Sequence, residues 1–248
     1  MAGAFIDRFS DRASLYRRSR PTYPSQLFDD LAALAPGRDL AWDCGTGNGQ
    51  AAVALACHFH EVYATDPSAQ QIAEASSCDQ VSYRVERAED VSLPDGSVDL
   101  VLAAQALHWF DHDTFFVQAR RVLKPGGIVA AIGYDWMYVD PGIDDAINKL
   151  LLPLLAEHWA PQNALLWAGY RTISFPGDEL RLGAYAIRVD WNVEEASAYI
   201  SSWSASRALR AAGGGERLDA ALAELKALWG GERRRVTMPL FTRVARMA

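Results

Sequence analysis

The chain has 248 residues, half of them apolar and 22% charged, with a formal net charge of −7. This composition excludes a disordered chain and a collagen-like repeat. The three cysteines, Cys44, Cys57 and Cys78, are too few for a disulfide framework and form no CxxC pair, which favours a reducing, cytoplasmic setting. The acidic balance argues against nucleic acid, and no apolar stretch reaches the ~20 residues that span a bilayer. We therefore expect a water-soluble protein with a small-molecule partner and no membrane partner.

The N-terminal segment, residues 1–35, precedes the first predicted strand and carries a predicted helix over 25–35. We expect this segment to cover one end of a sheet. Its aromatic residues Tyr16 and Tyr23 allow two interpretations: they close over a ligand, or they pack the first helix onto the sheet.

Residues 39–134 alternate short β-prone runs with helical patterns, which is typical of a parallel sheet with crossover helices. A KPGG turn over residues 124–127 is expected to end the last helix of this region, because proline cannot continue the helical hydrogen bonds and glycine accepts a positive φ. The predicted strands are 40–43, 61–65, 82–86, 98–103 and 128–134, and the predicted helices are 50–57, 70–76 and 114–123.

After residue 135 the strict alternation stops. An amphipathic helix over 144–156 and an irregular aromatic stretch over 159–170 are typical of an insertion that forms a lid or a substrate wall. Further on, the sequence has β-prone runs at 172–175 and 185–191, predicted helices at 194–210 and 216–229, and a closing strand near 236–245. The predicted fold is a single α/β domain of the Rossmann-like, doubly wound type. It has a mostly parallel seven-stranded sheet, with core 36–135, N-terminal cover 1–35 and substrate-side elements 136–248.

The sequence DCGTGNG, residues 43–49, follows a hydrophobic strand directly and precedes a helix. Its three alternate glycines, Gly45, Gly47 and Gly49, allow a tight turn and a close approach of a ligand to the backbone. The helix that follows offers free N–H groups and a partial positive charge. We expect a polar ligand to bind here.

An acidic residue, Asp66, ends the second predicted strand, where its carboxylate can accept hydrogen bonds from ribose hydroxyls. A dinucleotide is disfavoured because its GxGxxG spacing is absent and Asp43 would repel a pyrophosphate. The same carboxylate suits the ammonium of an amino-acid tail, which favours S-adenosylmethionine. Two structural alternatives stay open: Asp43 as a loop or helix cap, and Asp66 as the cap of the next helix.

Five motifs in this order resemble those of class I S-adenosylmethionine-dependent methyltransferases. Further short motifs are similar to the type 11 small-molecule branch that includes trans-aconitate methyltransferases. The five are DCGTGNG at 43–49, the acid Asp66, AE at 88–89, LPDGSVD at 93–99 and LKPGG at 123–127, and the further ones are RPTYP at 20–24, QALHWF at 105–110 and SWSA at 202–205.

The resemblance implies a role for each matching position in holding S-adenosylmethionine. Gly45, Thr46 and Gly47 lie against the methionine portion, Asp43 near the amino group, Asp66 at the ribose hydroxyls, Ala88 and Glu89 beside the adenine, Pro67 over the ring, and Gln105 beside the sulfonium. One departure is Arg87, which stands where many relatives have an acid for the adenine amino group. Glu89 is the candidate for that task.

His108 is the candidate catalytic residue, since a histidine there can act as a general base or position a substrate carboxylate. The alternative is a packed histidine beside Trp109 and Phe110. No histidine spacing indicates a metal site. Candidate substrate-binding residues are Tyr16, Arg20, Tyr23, His108, Trp109 and Trp203.

The predicted function is methyl transfer from S-adenosylmethionine to a small molecule by direct in-line displacement, with a carboxylate or hydroxyl as the acceptor. Two alternatives remain open at this point. One is an NAD-dependent dehydrogenase on the same fold, and the other is a cofactor-binding module without catalysis.

Overall fold

A computed structural model describes residues 21–247. The candidate substrate residues Tyr16 and Arg20 lie outside the described residues. The chain divides into two compact units. We call the first the sheet unit; it comprises Tyr23–Asp135, Gln162–Ala186 and the residues from Pro239 onward. The second, the helical unit, comprises Trp136–Pro161 and Ile187–Met238. The single-domain organisation stays a prediction.

Within the described residues the sheet has eight strands, seven of them in the order β3-β2-β1-β4-β5-β8-β6, and β7 pairs with β8 outside this path. The first five are parallel, and β8 runs antiparallel to both β5 and β6. The mostly parallel α/β fold is confirmed, with one strand more than the seven predicted. The strands are β1 Leu40–Cys44, β2 Glu61–Asp66, β3 Val81–Val85, β4 Val98–Ala104, β5 Leu123–Gly133, β6 Asp178–Leu180, β7 Tyr185–Trp191 and β8 Arg234–Arg246.

The β-prone run at 172–175 does not form a strand, and the strand that the sequence pattern missed is β6, which begins three residues further on. Ile173 and Phe175 are buried in the core, which explains their apolar, β-prone pattern. The carbonyl of Ile173 accepts a hydrogen bond from the Arg243 side chain at 3.2 Å rather than from a neighbouring strand. The Arg243 side chain, and not a neighbouring strand, thus satisfies the Ile173 carbonyl.

The KPGG segment is an irregular part of β5 and not a turn ahead of it. Leu123 pairs with Val98 and Ile128 with Leu100, so the four residues between Leu123 and Ile128 bulge out of the ladder. Within the bulge, Lys124 Nζ lies 3.0 Å from the buried carboxylate of Asp99 at the start of β4. The segment thus ties the amino ends of β4 and β5 together.

Helices cover both faces of the parallel strands, as a doubly wound sheet requires. On one face α4 (His112–Val122) buries Phe115, Ala119 and Val122 in a cluster that includes Trp42 and Val101. Asp111 caps this helix by accepting from the Thr114 amide. On the other face lie α1 (Ser25–Leu34) and α2 (Gln50–Leu55), whose buried residues Leu27, Leu31, Ala52 and Leu55 share a cluster with Leu100 and Ile128. The short α3 (Ala69–Ala73) follows β2, and α7 (Asn163–Trp167) also belongs to the sheet unit.

The helical unit contains α5 (Pro141–Ala146), α6 (Leu152–Leu155), α8 (Val193–Ser202), α9 (Ser204–Ala211) and α10 (Gly215–Trp229). A π-helical turn, Ile147–Leu151, joins α5 to α6, so the helix predicted over 144–156 is not one continuous α-helix. The helix predicted over 194–210 is likewise two, because Trp203 has the extended ψ of 145°. The buried Ser206 hydroxyl donates to the Ile200 carbonyl across this break. Local periodicity does not reveal such a break, since both helices bury residues at helical spacing.

The basic run Arg233-Arg234-Arg235 is paired with acids inside the helical unit. The partners are Glu195, Asp140 and Asp190, at 2.9, 2.6 and 2.5 Å respectively. Asp140 also caps α5 by accepting from the Gly142 and Ile143 amides. In the part of the chain that the structure describes, no helix is both long and apolar enough to cross a membrane.

Candidate active site

The candidate site lies where β1 and β4 run side by side at the centre of the sheet. Connections leave in opposite directions from these two strands, to β2 and β3 on one side and to β5 on the other. A crevice forms outside the carboxyl ends of strands at such a switch point, and ligands of open α/β sheets bind there. The loop after β1 starts at Gly45, and the loop after β4 starts at Gln105. A Cβ added to Gly45 would lie 2.6 Å from the Ala106 Cβ, so the two loops are in direct contact.

The glycine loop adopts backbone angles that other residues avoid. Gly45, Gly47 and Gly49 have φ of 69°, 56° and 85°. Their surroundings differ: a Cβ on Gly49 would clash with the Tyr83 hydroxyl, whereas the atom nearest to a Cβ on Gly47 would be Gln71 Oε1 at 3.8 Å. Gly47 therefore leaves its backbone open to a close approach by a ligand.

Asp43 is fully buried at the end of β1, as the sequence places it next to the glycine loop. Its Oδ2 accepts a hydrogen bond from the Thr46 hydroxyl at 2.6 Å. Its Oδ1 has no hydrogen-bond partner among the described residues. Burial raises the pKa of the carboxyl to about 7, the Thr46 hydroxyl and the Ala52 amide oppose that rise, and the charge of Asp66 adds to it. A cation placed at Oδ1 would favour the ionised form.

The raised pKa of Asp43 predicts a pH dependence of both stability and cofactor binding. Because the folded-state pKa lies above the ordinary 3.8, the carboxyl favours the folded protein at low pH, and this contribution is lost as pH rises through about 7. An ammonium ligand favours the ionised carboxylate, so affinity for S-adenosylhomocysteine should rise between pH 5.5 and 7.5, with proton release (an approximate window set by that pKa). Titration calorimetry in buffers of different ionisation enthalpy measures the affinity and the number of protons released on binding.

The matched variant for this prediction is Asp43→Asn, which keeps an oxygen to accept from Thr46. We expect its affinity to be weaker and flat over the same pH range. A wild-type affinity that does not change with pH would contradict the pairing of Asp43 with an ammonium group.

Asp66 closes β2 and holds the turn that follows it. Its Oδ2 accepts from the Gly47 amide and its Oδ1 from the Ser68 amide, both at 2.9 Å. The capping alternative is wrong in its detail, because the N-cap of α3 is Ser68, whose hydroxyl accepts from the Gln71 amide at 3.3 Å. Each carboxylate oxygen can accept a second hydrogen bond, so Asp66 retains acceptor capacity for ligand hydroxyls.

Ala88 and Glu89, the two residues after β3 that the sequence motif assigns to the adenine, already make contacts within the protein. Ala88 is buried in the core cluster with Cys44. Glu89 Oε1 accepts from the Asp111 amide at 2.9 Å, and Oε2 accepts from Arg87 Nε at 3.2 Å. The Glu89 carboxylate thus joins this loop to the N-terminus of α4. Pro67, the candidate for covering the adenine ring, is exposed after β2.

Gln105 is held in a strained conformation at the carboxyl end of β4. Its φ of 55° is unusual for a residue with a side chain. Its side-chain amide donates to the Tyr134 carbonyl at 3.0 Å and accepts from the Tyr134 amide at 3.3 Å. These two bonds clamp the ends of β4 and β5 together. Strain that neighbours maintain in this way is typical of functional sites.

His108 lies in a 3₁₀ turn, Leu107–Trp109, between β4 and α4. Its ring is buried, and its Nδ1 lies 3.0 Å from the hydroxyl of Tyr170. Burial, with a smaller contribution from His112, lowers the pKa of His108 to about 4. The imidazole is therefore neutral at pH 7. Trp109, the adjacent substrate candidate, is half exposed, with its ring centroid 4.9 Å from that of His108.

The remaining substrate candidates are not brought into one group. Tyr23 packs edge-on against Phe28 of α1, with centroids 6.1 Å apart, which agrees with the packing interpretation of that residue. Trp203 belongs to the helical unit, where it forms an aromatic cluster with Trp136 and Trp159 at centroid distances of 5.0 and 5.9 Å. Its role in substrate binding stays a prediction.

Sequence reasoning missed the partners that hold the site in shape. Tyr170, which is 62 positions further along the chain, forms a hydrogen bond with His108. The only local signal for Tyr170 is the preceding Gly169, whose φ of 60° allows the chain to turn there. The sequence pattern places Tyr134 only at the end of the predicted strand 128–134 and does not reveal its two hydrogen bonds to Gln105. Within residues 21–247, no three or more His, Cys, Asp or Glu side chains form a group that could hold a metal ion.

A glycine loop, a buried acid before it and a second acid at the end of the next strand lie together at the switch point of a parallel sheet, where a nucleoside ligand is expected. The comparisons with known proteins agree. The family described as "Methyltransferase domain" matches residues 42–131. A protein of Dictyostelium discoideum named as a methyltransferase is 32% identical over 213 residues, covering 84% of this chain and 81% of its own.

Solved structures extend this likeness to the fold. A protein from Anaeromyxobacter dehalogenans with the name type II methyltransferase is 41% identical, with a TM-score of 0.84 over 92% of this chain and 97% of its own. A methyltransferase of Mycobacterium tuberculosis is 36% identical over 120 residues, and this match covers 48% of this chain and 49% of the relative. The chain belongs to the class I S-adenosylmethionine-dependent methyltransferases.

The residues present fit this cofactor. Asp43 Oδ1, which has no hydrogen-bond partner within residues 21–247, suits an ammonium group. The open Gly47 backbone suits a close-lying chain, and Asp66 has acceptor capacity for two hydroxyls. A dehydrogenase is not supported, because the relatives above are methyltransferases.

Proposed function

We propose that this methyltransferase transfers a methyl group to an oxygen of a small molecule, a carboxylate or a hydroxyl. The observation that carries the proposal is the contact between the glycine loop and the β4 loop, Gly45 against Ala106, with the neutral His108 two residues beyond. The contact supports the proposal because the loop that meets the glycine loop also carries His108, a polar side chain suited to an oxygen acceptor.

For the cofactor we propose that Asp43 and Thr46 hold the amino-acid tail and that Asp66 accepts from the ribose hydroxyls. Gly45 and Gly47 let the backbone approach, Pro67 and Ala88 flank the adenine, and Gln105 lies near the sulfur. Glu89, which also ties its loop to α4, is the candidate for the adenine amino group, because each of its carboxylate oxygens can accept a second hydrogen bond. When bound, S-adenosylmethionine supplies a methyl group activated by the positive charge on sulfur.

The chain's own task is to bind both reactants, align them and exclude water, because the activated methyl group needs no covalent enzyme intermediate. The two hydrogen bonds between the Gln105 side chain and the Tyr134 backbone, together with the burial of His108, make the β4 loop rigid. A rigid loop keeps the acceptor oxygen in line with the departing sulfur at little further entropic cost.

Calorimetry and a turnover assay test this proposal. S-adenosylhomocysteine is expected to bind at micromolar concentration and NAD not to bind, since Asp43 opposes a pyrophosphate. Labelled S-adenosylmethionine with a panel of carboxylic acids, phenols and amines is expected to give labelled methyl esters or ethers. Label found on amines alone would contradict the assignment of an oxygen acceptor, and binding without turnover on any acceptor would favour a module without catalysis.

A further inference from the structure

The His108–Tyr170 pair is a buried contact within the sheet unit that none of the roles above uses. Tyr170 is fully buried and, at the end of the turn after α7, adopts a φ of 57°, which is rare for a residue with a bulky side chain. Its carbonyl accepts from Arg243 at 2.6 Å, and its ring packs edge-on against Phe241 at 5.2 Å. The phenol is therefore held rigidly where it meets His108.

The direction of the hydrogen bond decides which nitrogen of His108 carries its proton. Among the described residues, the Tyr170 hydroxyl has His108 Nδ1 as its hydrogen-bond partner. If Nδ1 donated, the phenol hydrogen would be buried without an acceptor, which costs free energy. If the phenol donates, the hydroxyl and Nδ1 are both satisfied and the ring proton resides on Nε2, an atom that is not among the buried side-chain atoms lacking a partner. The second arrangement is favoured.

We propose that Tyr170 is a positioning residue that fixes His108 as the Nε2–H tautomer, so that His108 offers a methyl acceptor a hydrogen-bond donor and not a base. The inference rests on the proposed function and deepens it, because it selects between the two acceptor classes. A donor suits a carboxylate, which is ionised at neutral pH and needs no proton removed.

The proton balance separates the two classes. A carboxylate oxygen supplies the electron pair for its new bond to the methyl carbon, the pair of the broken carbon–sulfur bond stays on sulfur, and no proton is released. A hydroxyl loses a proton in the same transfer and requires a group to take it. His108 in the Nε2–H form has its remaining lone pair occupied by Tyr170, so it cannot take that proton.

The tautomer can be tested directly by two-bond proton–nitrogen correlation spectra of the full chain with ¹⁵N-labelled histidine. The His108 signals are identified by their loss in His108→Gln. We expect a ring protonated at Nε2 in the wild type and a change in this pattern in Tyr170→Phe, which removes the donor while keeping the ring. A wild-type ring protonated at Nδ1 would overturn the proposal.

Activity provides the second test, with a carboxylate acceptor found in the panel. His108→Gln keeps an N–H near the position of Nε2 but cannot act as a base, so we expect kcat/KM within about fivefold of wild type, while His108→Ala loses roughly 100-fold. The matched control is His60→Gln, an exposed histidine at the amino edge of the sheet, with unchanged kcat/KM. A loss in His108→Gln equal to that in His108→Ala would overturn the donor role.

The two tests fail separately from the proposed function. The spectra need no acceptor, so an Nε2–H ring in a protein that methylates only amines supports the tautomer and overturns the oxygen-acceptor assignment. A ring protonated at Nδ1 in a protein that methylates hydroxyls overturns the inference and leaves the proposed function standing.

Discussion

Replacing Asp66 with alanine is expected to weaken binding of S-adenosylhomocysteine roughly 100-fold. Two hydrogen bonds from ribose hydroxyls to a carboxylate contribute about 3 kcal/mol together, since bonds to a charged group contribute about 1.5–3 kcal/mol each. The variant also leaves the Gly47 and Ser68 amides without their acceptor, which loosens the glycine loop. Calorimetry gives the affinity, and thermal unfolding of the unliganded protein measures how much of the loss is due to the loop.

The matched control is Asp79→Ala, which removes the same charge from an exposed position two residues before β3, at the amino edge of the sheet. Its affinity should equal that of the wild type. Asp66→Asn is not a mild variant, because one of its two polar atoms becomes a donor facing an amide N–H. Unchanged affinity in Asp66→Ala would remove the ribose assignment.

The parallel part of the sheet was predictable from local signals. β4 is an almost unbroken apolar run that is buried on both faces, and the DCGTGNG loop after β1 carries its glycines where the backbone has positive φ. Asp66 could be placed because the carboxyl ends of neighbouring parallel strands meet at one edge. In each case the information lies within a few residues of the feature.

The predictions that failed depend on contacts between distant residues. Ile173 and Phe175 have a β-prone pattern, yet an Arg243 side chain takes the place of a strand partner. The break at Trp203 is stabilised by ring packing within an aromatic cluster, which outweighs helical periodicity. Tertiary contacts override local propensity at these positions.

The site shows the same division. The residue types at motif positions were predictable, but the hydrogen bonds that these residues make within the protein were not. Glu89 stays the candidate for the adenine amino group, but the sequence did not reveal that its carboxylate also accepts a hydrogen bond from the Asp111 amide. The state of His108 depends on a tyrosine 62 residues further along the chain, so no spacing rule could have assigned its tautomer.

The second large effect is expected for Gly45→Ala. The added methyl would lie 2.6 Å from the Ala106 Cβ and 3.1 Å from the Phe110 ring, at a φ of 69°. Ala106 has little room to retreat, since the preceding Gln105 is bonded to Ile132 and Tyr134. The left-handed conformation costs about 1–2 kcal/mol and the overpacking about 1–3 kcal/mol, so we expect a loss of about 3 kcal/mol in the free energy of unfolding and a fall of roughly 10 °C in Tm.

Gly47→Ala is the matched comparison, because its φ of 56° imposes the same backbone strain without the clash. Its Tm should fall by only about 4 °C, as expected for about 1–2 kcal/mol of strain. Its affinity for S-adenosylhomocysteine should nevertheless fall more than its stability explains, because the methyl group occupies the side from which the ligand approaches. Equal Tm losses in the two variants would contradict the contact between the loops, and full affinity in Gly47→Ala would show that the ligand does not lie against that backbone.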